Sequence, residues 1–195
     1  MVKESVLLLD MDDVMVNFTA TALKIHGRPD LLNLWPPLQW EISGLLGITT
    51  KEFWAPIDAA GADWWADLPA CSWINQLLTI ACGDNFDQWY VVSVPSETQG
   101  CVEGKIRWLK KWMGNCFSRY IFTPHKYLLA TPERLLFDDS PANVRWFRAY
   151  GGSAILFPQP WNNTPETVVK DRDQVFQRLA RMPRYGGSKN GQTST

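Results

Sequence analysis

The chain has 195 residues, 46% of them hydrophobic and 20% charged, with nineteen basic side chains against twenty acidic ones for a formal net charge of -1. That composition excludes disorder over most of the length and fits one domain, or one domain with a modest insertion. A near-neutral balance provides no field to hold a polyanion, which argues against a nucleic-acid coat or architectural protein and leaves small phosphorylated ligands open.

Residues 5–9 (SVLLL) form a short, continuously apolar run between charges, the pattern of a central parallel strand covered on both faces. The opening MVKESVLLLDMDD is too soon interrupted by carboxylates for a signal peptide or a span, so the expected compartment is cytoplasmic. Residues 14–26 carry apolar positions at helical spacing, closed by Gly27 and stopped by Pro29. From 29 to 70 the character changes: five tryptophans and five prolines appear without strand-like alternation, predicting a small helical insert over one end of a sheet. Within it Thr49 or Thr50 caps a helix, with Glu52 in its first turn.

The α/β rhythm then resumes. A helix is predicted over 72–82, a strand over 88–93, a helix over 101–113 ended by Gly114, and strands over 118–122 and 135–137. Pro141 opens a helix to 149, residues 153–157 form the last strand, and 170–181 a terminal helix. The tail 184–195 has the composition of a disordered segment. The cysteines at 71, 82, 101 and 116 form no CxxC pair, and the two histidines complete no zinc site with them. They read as four buried thiols in a reducing compartment.

Asp10 and Asp12 follow directly on a buried strand, and Asp138 and Asp139 repeat the arrangement after a second apolar run. In an open α/β sheet the ligand crevice lies outside the carboxyl ends of the strands, which places both acid pairs together. Clustered acids repel and lose hydration, a cost that a hard divalent cation such as Mg²⁺ relieves through oxygen ligands. One Asp pair alone is readily a helix cap; two at one rim point to chemistry. Ser93 ends a strand and enters the loop VPSETQG, and Lys105 stands early in a helix, where the dipole does not favour it. A carboxylate nucleophile, a second carboxyl group two residues on and a lysine are the parts of phosphoryl transfer. No GxxxxGK[ST] or GxGxxG loop is present, so P-loop and dinucleotide chemistry are disfavoured.

The combination of DMDDVMVNF at 10–18, Ser93 after a strand, Lys105 in CVEGKIRWLKKWMG and LLFDDSPANV at 135–144 resembles the haloacid dehalogenase (HAD) superfamily. More narrowly, it resembles the 5'(3')-deoxyribonucleotidases. The resemblance implies an α/β, HAD-like Rossmannoid parallel sheet flanked by helices, with a catalytic core over 1–28 and 71–183 and a helical, Trp-rich cap over 29–70 inserted after the first strand–helix unit. It implies Asp10 as nucleophile, Asp12 as general acid/base, and Ser93 and Lys105 as phosphate ligands. Mg²⁺ would be held by the Asp10 carboxylate, the Asp12 backbone carbonyl and Asp139, with Asp138 in support. Phe18, Trp40, Trp54, Trp64, Trp65 and Lys126 would face the substrate. Four positions depart from the family pattern: Asp13 replaces a glycine, Val94 a serine, Pro124 an arginine and Gln39 an aromatic.

The activity implied is hydrolysis of a nucleoside monophosphate, deoxy in the first place, through an aspartyl-phosphate. The alternatives are a phosphatase for another small phosphate or a polynucleotide end, and an inactive nucleotide- or protein-binding relative. The partner expected is a small nucleotide, with no stable nucleic-acid complex and no membrane; an exposed aromatic cap would support a homodimer.

Overall fold

A computed structural model describes residues 4–36, 39–97, 100–162 and 171–182. The tail predicted as disordered, 184–195, lies outside the described residues. Five strands form one parallel sheet: β1 (Val6–Leu9), β2 (Gln88–Ser93), β3 (Tyr120–Phe122), β4 (Arg134–Asp138) and β5 (Ser153–Leu156), in the order β3-β2-β1-β4-β5. Alternate residues feed two cores. Leu7, Leu9, Val91, Leu135, Phe137 and Ile155 pack on one face, and Leu8, Val92, Leu136 and Ala154 on the other. Burial on both faces is why these strands read as unbroken apolar runs.

The core helices are α1 (Phe18–Ile25) after β1, α4 (Ile74–Ala81) before β2, α5 (Cys101–Met113) after β2, α6 (Pro141–Ala149) after β4 and α7 (Arg172–Ala180) after β5. Ser140 caps α6 by accepting from Asn143 N, with Pro141 in the first turn. The insert between α1 and α4 holds a 3₁₀ turn (Pro29–Leu32), α2 (Ile42–Leu46) and α3 (Thr50–Ala66). Thr49 and Glu52 close a reciprocal capping box at the start of α3. Among the described residues no helix is long and apolar enough to cross a membrane.

Two expectations need correction. The helix predicted from residue 14 begins at Phe18 instead, because 14–17 are spent on a buried loop. Met15 N and Val16 N donate to Met11 O, and Asn17 N donates to Pro69 O at 2.8 Å, tying the loop to the end of the insert. Val14, Met15 and Val16 are fully buried, and a buried loop presents the same apolar run as a helix face. The four thiols are not all buried either: Cys71 and Cys101 are, whereas Cys82 at the end of α4 and Cys116 in the loop before β3 are exposed.

Helix α3 is broken at Gly61, whose φ of 63° and ψ of -151° suit glycine alone. The turn of chain after the break carries Trp64 and Trp65 onto α5, where Gly104 permits a close approach. A Cβ at 104 would stand 2.3 Å from Ala62 O and 2.4 Å from Trp65 Cβ. The two glycines thus fix how the insert meets the core.

Candidate active site

The sheet order makes β1 the strand from which the chain leaves in both directions, so the crevice opens between β1 and β4. The register sets Leu9 beside Phe137, and Asp10 N donates to Phe137 O at 2.9 Å. The two acid pairs are therefore held side by side by backbone pairing alone. Asp10, Asp138 and Asp139 are buried, and each offers an oxygen within 4.8 Å of the others'.

The three carboxylates are held differently. Asp138 is committed to the protein: its oxygens accept from Ser140 N at 2.8 Å, from the Asn143 amide and from Lys126 Nζ at 2.7 Å. Asp10 Oδ1 accepts from Met11 N at 2.7 Å and lies 2.6 Å from Lys126 Nζ. Asp139 Oδ2 accepts from Trp161 Nε1 at 2.6 Å. Burial pushes the Asp10 carboxyl up to about 7 from an ordinary 3.8, and repulsion from Asp138 adds to this against the opposing pull of Lys126. Asp139 is raised well above its ordinary value by burial, then by Asp10 and Asp138. Burial would depress Lys126, but Asp10 and Asp138 outweigh it and hold its pKa up. One lysine among three carboxylates leaves an excess of negative charge that a hard divalent cation fits, with Asp10 and Asp139 each retaining an oxygen without a protein donor among the described residues.

Asp12 turns elsewhere. Its Oδ2 meets Lys105 Nζ at 2.5 Å, and that ammonium also donates to Ser93 Oγ at 2.8 Å and Val94 O at 3.2 Å. The other oxygen, Asp12 Oδ1, is buried with no protein partner. Lys105 and Ser93 are both fully buried and do not line the cleft. The geometry redistributes the two lysines of the sequence reading: Lys126 touches Asp10 and lines the cleft, whereas Lys105 braces Asp12. Lys126 reaches this position from a 3₁₀ turn (Lys126–Leu129) after β3, a feature without a periodic signal.

The acids open into a cleft of about 970 Å³, lined by Phe18 at the start of α1, by Trp35, Trp40, Trp54 and Trp65 of the insert, and by the loop Val94–Glu97. Phe18 stacks on Trp65 at 5.5 Å and lies 6.1 Å from Trp54. Trp40 is 47% exposed at the rim. Trp64 is brought to the same cluster but not to the cleft: it meets Phe18 and Trp65 edge-on at 5.7 and 4.9 Å. Sequence reasoning missed Trp35, Trp161 and Asn143 as residues of this site. It also left Asp13 without a role. Asp13 adopts a left-handed φ of 57° and accepts from Thr19 N at 2.9 Å and Thr19 Oγ1 at 2.6 Å, tethering the loop to the start of α1. Burial lifts its carboxyl to about 7 against the opposing Thr19 bonds.

These shifts have a signed consequence for stability. A carboxyl group whose pKa is raised on folding binds its proton more tightly in the folded state. Metal-free stability therefore falls as pH rises between the unfolded value of 3.8 and about 7. We expect the metal-free protein to melt higher at pH 5 than at pH 8, and Mg²⁺ to raise Tm chiefly at pH 8. At 100 times its Kd a cation adds about 2.7 kcal/mol, or roughly 5–10 °C at about 2–4 °C per kcal/mol. Thermal melts at the two pH values check this, and an equal Mg²⁺ increment at both would contradict it.

No protein-family model matches the sequence, and no curated protein matches it. Solved structures do match the fold. A HAD-superfamily hydrolase of subfamily IA, variant 1, from Geobacter sulfurreducens is 14% identical, with 90% of this chain and 96% of that one covered and a TM-score of 0.53. A candidate phosphoglycolate phosphatase from Lactobacillus plantarum (15% identity, 91% and 99% covered) gives 0.54, and the candidate HAD-hydrolase YfnB of Bacillus subtilis, solved bound to magnesium (13% identity, 91% and 99% covered), gives 0.52. The five-stranded parallel sheet with a helical insert after β1 is thus the fold of the HAD hydrolases.

Proposed function

We propose that this chain is a Mg²⁺-dependent phosphomonoesterase, acting on nucleoside monophosphates through an aspartyl-phosphate at Asp10. The observation that carries the reading is the pairing of two differently held carboxylates, Asp10 on Lys126 and Asp12 on Lys105, with Asp12 Oδ1 left buried and unpartnered. A group in that state is aimed at something other than protein. The magnesium in the Bacillus subtilis neighbour and the buried Asp10, Asp138 and Asp139 cluster support the choice of cation.

An Asp10 oxygen attacks phosphorus as the bond to the ester oxygen breaks, and Asp12 Oδ1 delivers the proton that this oxygen needs. Water then attacks the aspartyl-phosphate, giving its proton to Asp12 as the bond from phosphorus to the Asp10 oxygen breaks. Lys126 offsets charge on Asp10 and on the transferring group, and Lys105 with Ser93 keeps Asp12 turned to the cleft. Bound Mg²⁺, held by Asp10 and Asp139, would stabilise the charge that develops on the phosphoryl oxygens.

The cleft walls support the substrate class. Phe18 and Trp54 offer flat surface for a ring, backed by the buried Trp65, and stacking is worth about 1–3 kcal/mol per base. Among the described lining residues Lys126 is the sole cation, while Asp58 and Glu97 stand on the wall. This favours one phosphate group over a diphosphate or a polynucleotide end.

The test is phosphate release with Mg²⁺ from 5' and 3' ribo- and deoxyribonucleoside monophosphates, the matching diphosphates, a phosphorylated oligonucleotide and p-nitrophenyl phosphate. Monophosphates should dominate, and Trp54→Ala should lower their kcat/KM by roughly 5–150-fold, the range of one lost stack, with a smaller effect on p-nitrophenyl phosphate. Turnover of p-nitrophenyl phosphate alone would retain the chemistry and remove the nucleotide assignment.

A further inference from the structure

Resting on the phosphatase reading, we infer that Trp161 is a positioning residue that readies Asp139 for the cation, and that Trp35 ties this to the helical insert. After β5 the chain runs through Pro158 and Pro160 into a 3₁₀ turn (Pro160–Asn162), with Trp161 and Asn162 both buried. The segment grips Asp139 twice. Asn162 Nδ2 donates to the Asp139 carbonyl at 2.7 Å and to Phe157 O at 2.7 Å, while Trp161 Nε1 donates to the Asp139 carboxylate at 2.6 Å. Two residues earlier, Gln159 Nε2 donates to Asp13 O in the β1 loop. One turn therefore braces the acids of both strands.

The chemistry of the donor is what distinguishes Asp139 from its neighbour. Asp138 receives the ammonium of Lys126, whose positive charge serves part of the role a cation would serve. Asp139 receives an indole N–H, which orients one oxygen without adding charge. The bond leaves the second oxygen of Asp139 for a ligand. A lysine or arginine in place of Trp161 would neutralise Asp139 and compete with the metal. Hydrogen-bond partners of this kind change metal affinity by about 10–100-fold when removed. The Trp35 ring lies 5.2 Å from that of Trp161, with its own Nε1 fixed on Gln39 O at 2.7 Å, so the insert bears on the indole rather than on Asp139. Both rings line the cleft.

Calorimetric titration of the full chain with Mg²⁺ alone separates the possibilities. In Trp161→Phe the Mg²⁺ Kd should rise about 10–100-fold, and lost turnover should return at high Mg²⁺ with the substrate KM unchanged. A merely structural role would lower Tm in the presence and absence of metal and would not be rescued by metal. Trp35→Phe, which spares the indole bond, should change Kd by no more than a few-fold. Should Trp161→Phe fail to fold, the indole N–H resonance of Trp161 in the unaltered protein provides the reading: it should lie far downfield and move on Mg²⁺ addition, and an unmoved resonance would overturn the inference. Absence of Mg²⁺ binding by the unaltered protein sinks the cation reading itself. Intact binding there with a Kd within twofold in Trp161→Phe sinks this inference alone.

Discussion

Asp10→Asn should reduce phosphate release from any monophosphate to background, a loss of at least ~10⁴-fold, the scale seen when a nucleophile is removed from a site that retains its other groups. A carboxamide does not form the acyl-phosphate, and no other described carboxylate is placed to replace it. Asp138 is saturated by Ser140, Asn143 and Lys126; Asp12, tied through Oδ2 to Lys105, keeps Oδ1 for proton transfer in the proposed reaction, and the remaining Asp139 oxygen is assigned to the cation. The folded state should survive the change. Asp10 is a buried carboxyl whose pKa is lifted to about 7, so at pH 8 its ionised form destabilises the metal-free protein. Replacing it by a neutral group of the same shape removes repulsion from Asp138 and Asp139 and leaves Lys126 its bridge to Asp138. Metal-free Asp10→Asn should therefore melt no lower than the parent at pH 8, while losing most of the Mg²⁺ increment. Turnover above 1% of the parent would show that phosphorus is attacked by another group.

How much of this was legible in the sequence depends on what made each feature periodic. β2 and α5 fall on their predicted bounds because Gln88–Ser93 is apolar between turn residues and Gly114 stops a clear amphipathic helix. The capping box at Thr49 was readable because its logic is three residues long. The start of α1 was not, since Val14, Met15 and Val16 are buried by a loop that hydrogen-bonds back onto Met11 and by the Asn17 bond to the distant Pro69. The acids could be placed from strand ends alone, because parallel pairing of β1 with β4 brings Asp10 and Asp138 together regardless of side chains. Their partners could not. Lys126 and Trp161 lie on 3₁₀ turns, where no face repeats, and their roles come from tertiary folding of loops after β3 and β5. A signal for Trp161 did exist: an aromatic N–H between prolines and an asparagine, just beyond the last strand at the acid-bearing edge. Eleven tryptophans in the chain hid it.

The second large effect belongs to Lys126→Met, which keeps most of the stem's packing volume and removes the charge. The lysine is 2% exposed, and its ammonium lies 2.6 Å from Asp10 and 2.7 Å from Asp138. Deleting one member of a buried ion cluster leaves the others uncompensated, which costs about 3–5 kcal/mol, or roughly 6–20 °C in Tm at about 2–4 °C per kcal/mol. The sign with pH follows from which groups remain. Lys126 itself, with its pKa raised on folding, contributes fully below 10.5 and loses that contribution only in stronger alkali. Once it is gone, Asp10 and Asp138 lose their main opposing charge, the folded state takes up protons more readily, and stability falls more steeply between pH 5 and pH 8 than in the parent. The deficit should therefore be largest at pH 8, smaller at pH 5 where Asp10 carries its proton, and partly repaired at pH 8 by Mg²⁺, which supplies the missing positive charge. Lys105→Met should behave differently, because its partner Asp12 has a side chain 26% exposed to water and is not part of the triad. Melts of both variants at the two pH values, with and without Mg²⁺, decide between a shared electrostatic centre and two independent bridges: equal, pH-independent losses in the two variants would mean that Lys126 holds the loop by packing alone.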